Sequence, residues 1–333
     1  MNEDPVVIVE AARTPMGGFQ GDLGGARAPD LGATAIRAAL GRAGIAPEAV
    51  DEVYMGIVLP AGLGQAPARQ ASIGAGVPDS VPCTTLNKMC GSGMKAAMLA
   101  HDGLLAGTGK VMIAGGMESM SNAPYLLDKA RGGYRMGHGE IKDHMFLDGL
   151  EDAYAKKLMG EFGEKCAQHY QFTREQQDEF AIRSLKRAQA ATKDKTFARE
   201  ITPVTFSTRK GEVTVETDEL PRVARLDKIP DLRPAFAKDG TITAANASAI
   251  SDGAAALVLS TEDNADKLGA KPLARIKGYT SFAQAPEWFT TAPVGAMNTL
   301  LEHVGWSADD VDVFLVAGVT GDVGRRGRFL VRV

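Results

Sequence analysis

An α/β fold built from two copies of one strand–helix–strand unit is what the sequence predicts, on three observations. Short apolar runs, such as residues 6–9 and 111–114, alternate with stretches whose apolar residues fall at helical spacing. Residues 39–51 (ALGRAGIAPEAVD) recur as residues 300–312 (LLEHVGWSADDVD), with leucine, glycine, valine and aspartate in register. Glycines cluster where strands give way to helices, among them Gly91 and Gly93 beside Cys90.

Taken in order, residues 6–9 (VVIV) read as a buried strand, and Arg13, Thr14, Pro15 and the glycines at 17, 18 and 21 as the loop after it. Leu31, Ala35, Leu40 and Ala43 mark a helix over 31–43 that Gly44 closes. Residues 50–56 return as a strand, and 69–75 form a further helix. Residues 81–86 (VPCTTL) favour extended structure, Pro82 arguing against helix, and the run from Met94 to Ala100 consists of good helix formers. Residues 111–116 are one more apolar strand ending in glycines. This rhythm predicts a mostly parallel sheet covered on both faces.

From about residue 121 to 246 the rhythm stops and the charge rises. Thr173-Arg174-Glu175-Gln176 is a capping box that opens a helix through Ala191, with Phe180, Leu185 and Ala188 as its inner stripe and Arg183, Lys186 and Arg187 outside. The segment reads as a helical insertion that serves ligand specificity or oligomer contacts. A second strand candidate at 273–276 precedes the second copy of the repeat, which reaches a strand at 311–314. The stretch beyond, 318–333, is rich in Gly, Val and Arg and carries no helix signal, so the second copy is incomplete and its sheet is expected to leave unpaired edges and an exposed apolar face.

Composition narrows the function classes. At 333 residues, with 44% hydrophobic and 23% charged residues, the chain reads as a globular enzyme of two or more domains. A net charge of −4 gives no reason to expect nucleic acid or an anionic membrane as partner, and the four arginines of the tail have a single aromatic, Phe329, among them. No apolar run approaches a membrane span, and the acidic first residues do not resemble a signal peptide. Three cysteines, Cys83, Cys90 and Cys166, are too few for a disulfide framework, so a reducing, cytoplasmic setting is expected.

Of these cysteines, Cys90 stands where the strand at 81–86 turns into a helix, between Lys88-Met89 and Gly91-Ser92-Gly93. Unpaired amides and the positive end of the helix dipole favour a thiolate at such a place. A thiolate there can attack a carbonyl while the amides hold the oxyanion. A small buried residue in a strand-to-helix turn is the competing reading.

These residues bring a family into view. From Val6 to about Phe314 the chain resembles the thiolases, specifically the acetyl-CoA acetyltransferase branch. Residues 87–93 (NKMCGSG) resemble the family's nucleophile motif, and 114–121 (AGGMESMS) the strand end that follows it; 64–70 (GQAPARQ) and 246–256 (NASAISDGAAA) match two further segments. The resemblance implies a duplicated five-layered α/β fold with mixed sheets between helices and a helical loop domain inserted in the first half. It divides the chain into 1–120, the half carrying the nucleophile; 121–246, the loop domain for coenzyme A and oligomer contacts; and 247–333, the end of the first half and an incomplete second half. It further implies reversible acyl transfer to and from coenzyme A through a thioester on Cys90, with acyl-CoA and CoA as substrates and no separate cofactor or metal. Carried over by residue, Ser248 contacts the pantetheine arm, Met159, Phe236 and Phe289 line the pantetheine and acyl channel, and Arg222 lies near the nucleotide end. A homo-oligomer is expected, with neither nucleic acid nor membrane as partner. Longer-chain 3-ketoacyl-CoA thiolases are the rival within the family, because pocket size is not readable.

The departures weigh as much as the matches. The family carries an Asn-Glu-Ala-Phe segment after the strand at 311–314, then a Gly-His-Pro motif whose histidine activates the nucleophile, then a second catalytic cysteine in Cys-x-Gly. The histidines here are His101, His138, His144, His169 and His303; none precedes a proline, and neither Cys83 nor Cys166 sits in a matching context. The sequence therefore predicts impaired turnover from a truncated or frameshifted thiolase, or an inactive remnant that binds CoA or only forms oligomer contacts.

Overall fold

The apolar runs assemble one sheet, and the order in which they do so sets the site. In the computed structural model, which describes residues 4–315 and 329–331, the chain opens with β1 (Val6–Arg13), β2 (Gly17–Gly18), α1 (Ala28–Ala43), β3 (Glu52–Gly56), α2 (Pro67–Ala75), β4 (Cys83–Leu86), α3 (Ser92–Ala106) and β5 (Val111–Ser119). An inserted region follows: the strand pair β6 (Tyr125–Leu126) and β7 (Lys142–Asp143), α4 (Met159–His169), α5 (Arg174–Lys193), the strand pair β8 (Val204–Thr208) and β9 (Gly211–Val215), and α6 (Glu219–Val223). The chain then gives β10 (Ser251–Thr261), α7 (Glu262–Lys267), β11 (Ala274–Arg275), α8 (Ala292–Val304), β12 (Val313–Leu315) and β13 (Phe329–Val331).

The main sheet has the order β11-β1-β10-β5-β3-β4, with β2 also paired to β10. It is mixed, not mostly parallel as the strand–helix rhythm predicts. β3 runs parallel to β4 and β5, but β10 lies between β1 and β5 and runs against both. The rhythm misleads because β10 arrives from beyond the insertion, and local periodicity carries no strand direction. Alternation along the strands sends side chains to two faces. Ile113 and Val258 pack in the larger cluster with α1 and α2, while Met112, Ala114 and Leu259 pack with Ala96, Ala100 and Leu104 of α3 on the other side.

The insertion is less helical than expected, since β8 and β9 form an antiparallel hairpin and β6 pairs with β7. Its signal was present: Val, Thr and Phe alternate through 204–208, and Gly211 takes φ +119° at the turn. The capping box of α5 is formed, with the Gln176 amide donating to Thr173 Oγ1 at 3.2 Å and the Thr173 amide to Gln176 Oε1 at 3.0 Å. The inner stripe differs from expectation. Ala188 is buried, but Phe180 is 46% exposed, its ring covered by the Arg183 guanidinium at 5.1 Å, and Asp178 is buried in its stead. Asp178 is tolerated there because Arg174 donates to it at 2.6 Å and Asn246 at 2.9 Å. The insertion is tied back to β1 by Arg13, whose guanidinium donates to both carboxylate oxygens of Asp218 and to Glu200.

The strand expected at 273–276 is correspondingly displaced. It shortens to β11 and pairs antiparallel with β1 on the first sheet, Val7 opposite Arg275, instead of opening a second sheet. β12 pairs in parallel with β13, so part of the stretch that carries no helix signal is a strand. The remainder of the glycine- and arginine-rich tail lies outside the described residues. No helix among the described residues is long and apolar enough to cross a membrane.

Candidate active site

Cys90 sits in the connection between β4 and α3, two residues ahead of the first helical residue, and it is exposed. The turn is tight enough to hold Met89 at φ +48°, a left-handed conformation that a residue with a side chain adopts only when its surroundings impose it. Those surroundings are specific. Ser92 Oγ donates to the Met89 carbonyl at 2.5 Å and accepts from the Lys88 amide at 2.9 Å, while Asn87 Oδ1 accepts from the Met89 amide at 2.8 Å. The first intrahelical bond runs from the Lys95 amide to the Gly91 carbonyl at 2.9 Å. The Gly91 and Ser92 amides turn back onto the Lys88 and Met89 carbonyls at 3.1 and 3.0 Å, which closes the turn on Cys90.

Close packing under the turn depends on glycine. A Cβ at Gly56 of β3 would stand 2.5 Å from Ser92 Cβ and 2.7 Å from the Ser92 carbonyl carbon, so only glycine lets the start of α3 rest on β3. Beside it, the loop that leaves β3 is held by a carboxylate: Glu118 accepts from the Val58 amide at 2.8 Å and the Leu59 amide at 3.1 Å. Burial pushes the Glu118 carboxyl above its ordinary range; those two amides and His144 oppose the shift and Asp252 adds to it. Asp252 is raised as well, again by burial, against hydrogen bonds from Ser121, Ser119 and Met120. His144 is buried, with Nδ1 2.6 Å from Asp148 and Nε2 3.4 Å from the Ala61 amide. Neither Glu118 nor His144 was singled out from the sequence; the available signal was an acidic residue ending an otherwise apolar strand.

The residues expected along the coenzyme A channel fall into three places. Met159 opens α4, and the ring of Phe236 fills the space beside Gly160 where a side chain would stand. Phe289 meets Phe162 of α4 edge-on, ring centroids 6.4 Å apart. Met159, Phe236 and Phe289 therefore gather on α4, and the pairing of Lys165 with Glu287 and the Lys165 ammonium 4.7 Å above the Trp288 ring join the same helix to the segment carrying Phe289. A cleft of about 230 Å³ runs along α4, lined by Lys157, Glu161, Glu164, Lys165, Gln168, Phe236 and Ala237. Ser248 is exposed in the loop before β10. That loop is anchored to the insertion by Glu164, which accepts from the amides of Thr241 and Ile242, and by the bond from Asn246 to Asp178. Arg222 stands apart: it lies in α6, pairs with Asp22, and lines a second cleft of about 260 Å³ with residues 213–217. Cys90 lines neither cleft. Among the described residues no group of three or more His, Cys, Asp or Glu is arranged to hold a metal ion.

Comparison with known proteins identifies the family. Residues 6–263 match the thiolase N-terminal domain and residues 270–318 the thiolase C-terminal domain. The chain is 50% identical over 317 residues to acetyl-CoA acetyltransferase 2 of Arabidopsis thaliana, covering 94% of this chain and 79% of that one. It is 49% identical to the acetyl-CoA acetyltransferase of Cupriavidus necator, covering 92% and 79%. The solved structure of acetyl-CoA acetyltransferase from Syntrophomonas wolfei superposes with a TM-score of 0.91 at 39% identity, over 95% of this chain and 79% of that one. With both domain models matched in order and half of the aligned residues identical, the chain belongs to the thiolase family.

Proposed function

We propose that these residues form the nucleophile and coenzyme A side of an acetyl-CoA acetyltransferase site, with Cys90 as the acyl carrier. By family the chain is a thiolase-type acyltransferase. The observation that carries the reading is the exposed Cys90 at the N-terminus of α3. The thiolate attacks the thioester carbonyl of acetyl-CoA, backbone amides at the start of α3 donate to the oxyanion, the bond from carbonyl carbon to CoA sulfur breaks, and CoA leaves with the proton that Cys90 gave up. Met159, Phe236 and Phe289 line the channel for pantetheine and acyl group, a reading supported by their convergence on α4. Ser248 contacts the pantetheine arm, and Arg222 serves the nucleotide end from the second cleft. The organisation that goes with this is a nucleophile half over 1–120, an inserted domain over 121–246 for coenzyme A and homo-oligomer contacts, and a third part over 247–333, in a cytoplasmic setting.

Completion of the reaction needs a base for the nucleophile and an acid/base at the substrate α-carbon. No histidine among the 333 residues precedes a proline, and we assign that role to none of the five. These residues therefore accept an acetyl group on Cys90 but cleave acetoacetyl-CoA slowly, by roughly 10²–10⁴-fold for the missing acid–base contribution alone. The test is mass spectrometry of the Cys90 peptide after incubation with acetyl-CoA, paired with turnover of acetoacetyl-CoA and free CoA. The expected result is an acetyl adduct that Cys90→Ala lacks, with weak turnover. Turnover equal to that of a related acetyltransferase, abolished by Cys90→Ala, would show that another residue supplies the base.

A further inference from the structure

We propose that Glu118 and Asn87 act as one positioning unit on the nucleophile turn, gripping Val58 from its two sides so that the carboxylate of β5 fixes the backbone presenting the Cys90 thiol. The inference rests on Cys90 being the nucleophile. Glu118 ends the apolar run of β5 yet carries a charge-bearing group into the sheet's end, where burial disfavours it. Its two oxygens are engaged by two consecutive amides, Val58 at 2.8 Å and Leu59 at 3.1 Å. Two adjacent donors need two acceptor atoms on one side chain, which a carboxylate offers and an amide does not.

The far side of the same residue faces the turn. The Val58 carbonyl accepts from Asn87 Nδ2 at 3.3 Å, and the other end of that side chain, Oδ1, takes the Met89 amide at 2.8 Å. Met89 is the residue held at φ +48° immediately before Cys90. A continuous line thus runs Glu118, Val58, Asn87, Met89, Cys90, joining a strand end to a backbone conformation that is unfavourable on its own. His144 holds the loop farther along, at the Ala61 amide, backed by Asp148. Glu118, His144, Asp148 and Asp252 are titratable groups that face this loop, and Lys88 and Cys90 stand in the turn itself. Both Glu118 and Asn87 act through the turn.

Initial rates of iodoacetamide labelling at Cys90, Cys83 and Cys166, resolved by peptide mapping, test this without requiring turnover. The chains compared are the parent, Glu118→Leu, Glu118→Gln, Asn87→Ala and the doubles of Asn87→Ala with each Glu118 variant. Loss of one charge-assisted or side-chain hydrogen bond in the line should slow Cys90 labelling about tenfold in Glu118→Leu and Asn87→Ala. Glu118→Gln, which keeps one acceptor, should fall between parent and Glu118→Leu. Because the two residues act through Val58, each double should be no slower than its slower single. Cys90 rates at the parental level in the singles, or doubles whose losses multiply, overturn the proposal. Faster labelling of Cys83 and Cys166 in Glu118→Leu marks opening of that variant, and the Glu118→Gln and Asn87→Ala cycle then decides by the same criterion. If Cys90 in the parent labels no faster than Cys83 and Cys166, the nucleophile assignment fails first, a result separate from any effect of the variants.

Discussion

α1 and α8 are near copies of one local design in two different settings. Each has proline in its first turn, Pro29 and Pro293, and each ends in a left-handed glycine, Gly44 at φ +66° and Gly305 at φ +68°. In both, the residue after that glycine returns its amide to a carbonyl of the last turn, Ile45 to Leu40 at 3.2 Å and Trp306 to Leu301 at 2.9 Å. Both then make a short 3₁₀ turn, Pro47–Ala49 or Ala308–Asp310, and a strand, β3 or β12. Burial separates them. α1 hides Leu31, Ala35, Ile36, Ala39 and Leu40 against the sheet, whereas of α8 only Leu301 is buried and Val294 is 53% exposed. β3 is enclosed between β4 and β5, and β12 is paired with β13 alone among the described residues. The difference teaches that caps, turns and helix ends need only their own residues, while burial needs a partner surface.

Large-to-small substitution at the matched leucines gives the biggest expected contrast. Leu40→Ala should cost about 2–5 kcal/mol of global stability, as expected for a close-packed core position. Leu301→Ala, at the one buried position of a helix with little cover, should fall at the low end of that range, about 2 kcal/mol. Urea unfolding of both variants measures this, and equal losses would mean that α8 is packed as firmly as α1.

The second contrast is in titration, because Glu118 and Asp252 both sit in the first sheet. Burial raises both carboxyls from ordinary values of 4.5 and 3.8. Between the ordinary and the raised value, the native chain keeps a proton that the unfolded chain has released. Stability from each group is therefore greatest below its ordinary value and falls as pH rises through the window to the native value, by at most about 1.4 kcal/mol per pH unit per group. Urea midpoints from pH 4 to 8 should decline less steeply in Glu118→Gln and Asp252→Asn than in the parent. Unchanged slopes would show that the native carboxyls titrate normally.

The smallest effect sharpens the comparison most. Gly44→Ala and Gly305→Ala put the same side chain at the same positive φ, at a local cost of roughly 1–2 kcal/mol each. In α1 that cost should appear in global unfolding. In α8 it should appear mainly as faster amide hydrogen exchange within 292–305, with a smaller shift in the urea midpoint. A full global loss from Gly305→Ala would place both helices in one cooperative unit.

Much of this was legible in the chain. Cys90 was placed at a helix start because strand formers precede it and helix formers follow, and α1, its glycine cap and the α5 capping box lie where their residues put them. Residues 273–276 were recognised as extended, but their place on the edge of the first sheet was not. Phe180 was misplaced because the helical period locates a stripe only to within about a residue, and a buried Asp178 paired with Arg174 does not announce itself as core.

What the sequence determined by itself is what neighbours along the chain decide: helix starts and ends, turns, and the residue at the tip of the nucleophile turn. Tertiary structure alone decided the direction of β10 between β1 and β5, the gathering of Met159, Phe236 and Phe289 on α4, and the grip of Glu118 and Asn87 on Val58. The physical reason is range. Capping and turn formation are settled over three or four residues by hydrogen bonds and dihedral preference. The bonds from Val58 to Glu118 and from Asn87 to Val58 close separations of 60 and 29 residues, and only burial of the sheet's two faces brings those residues together.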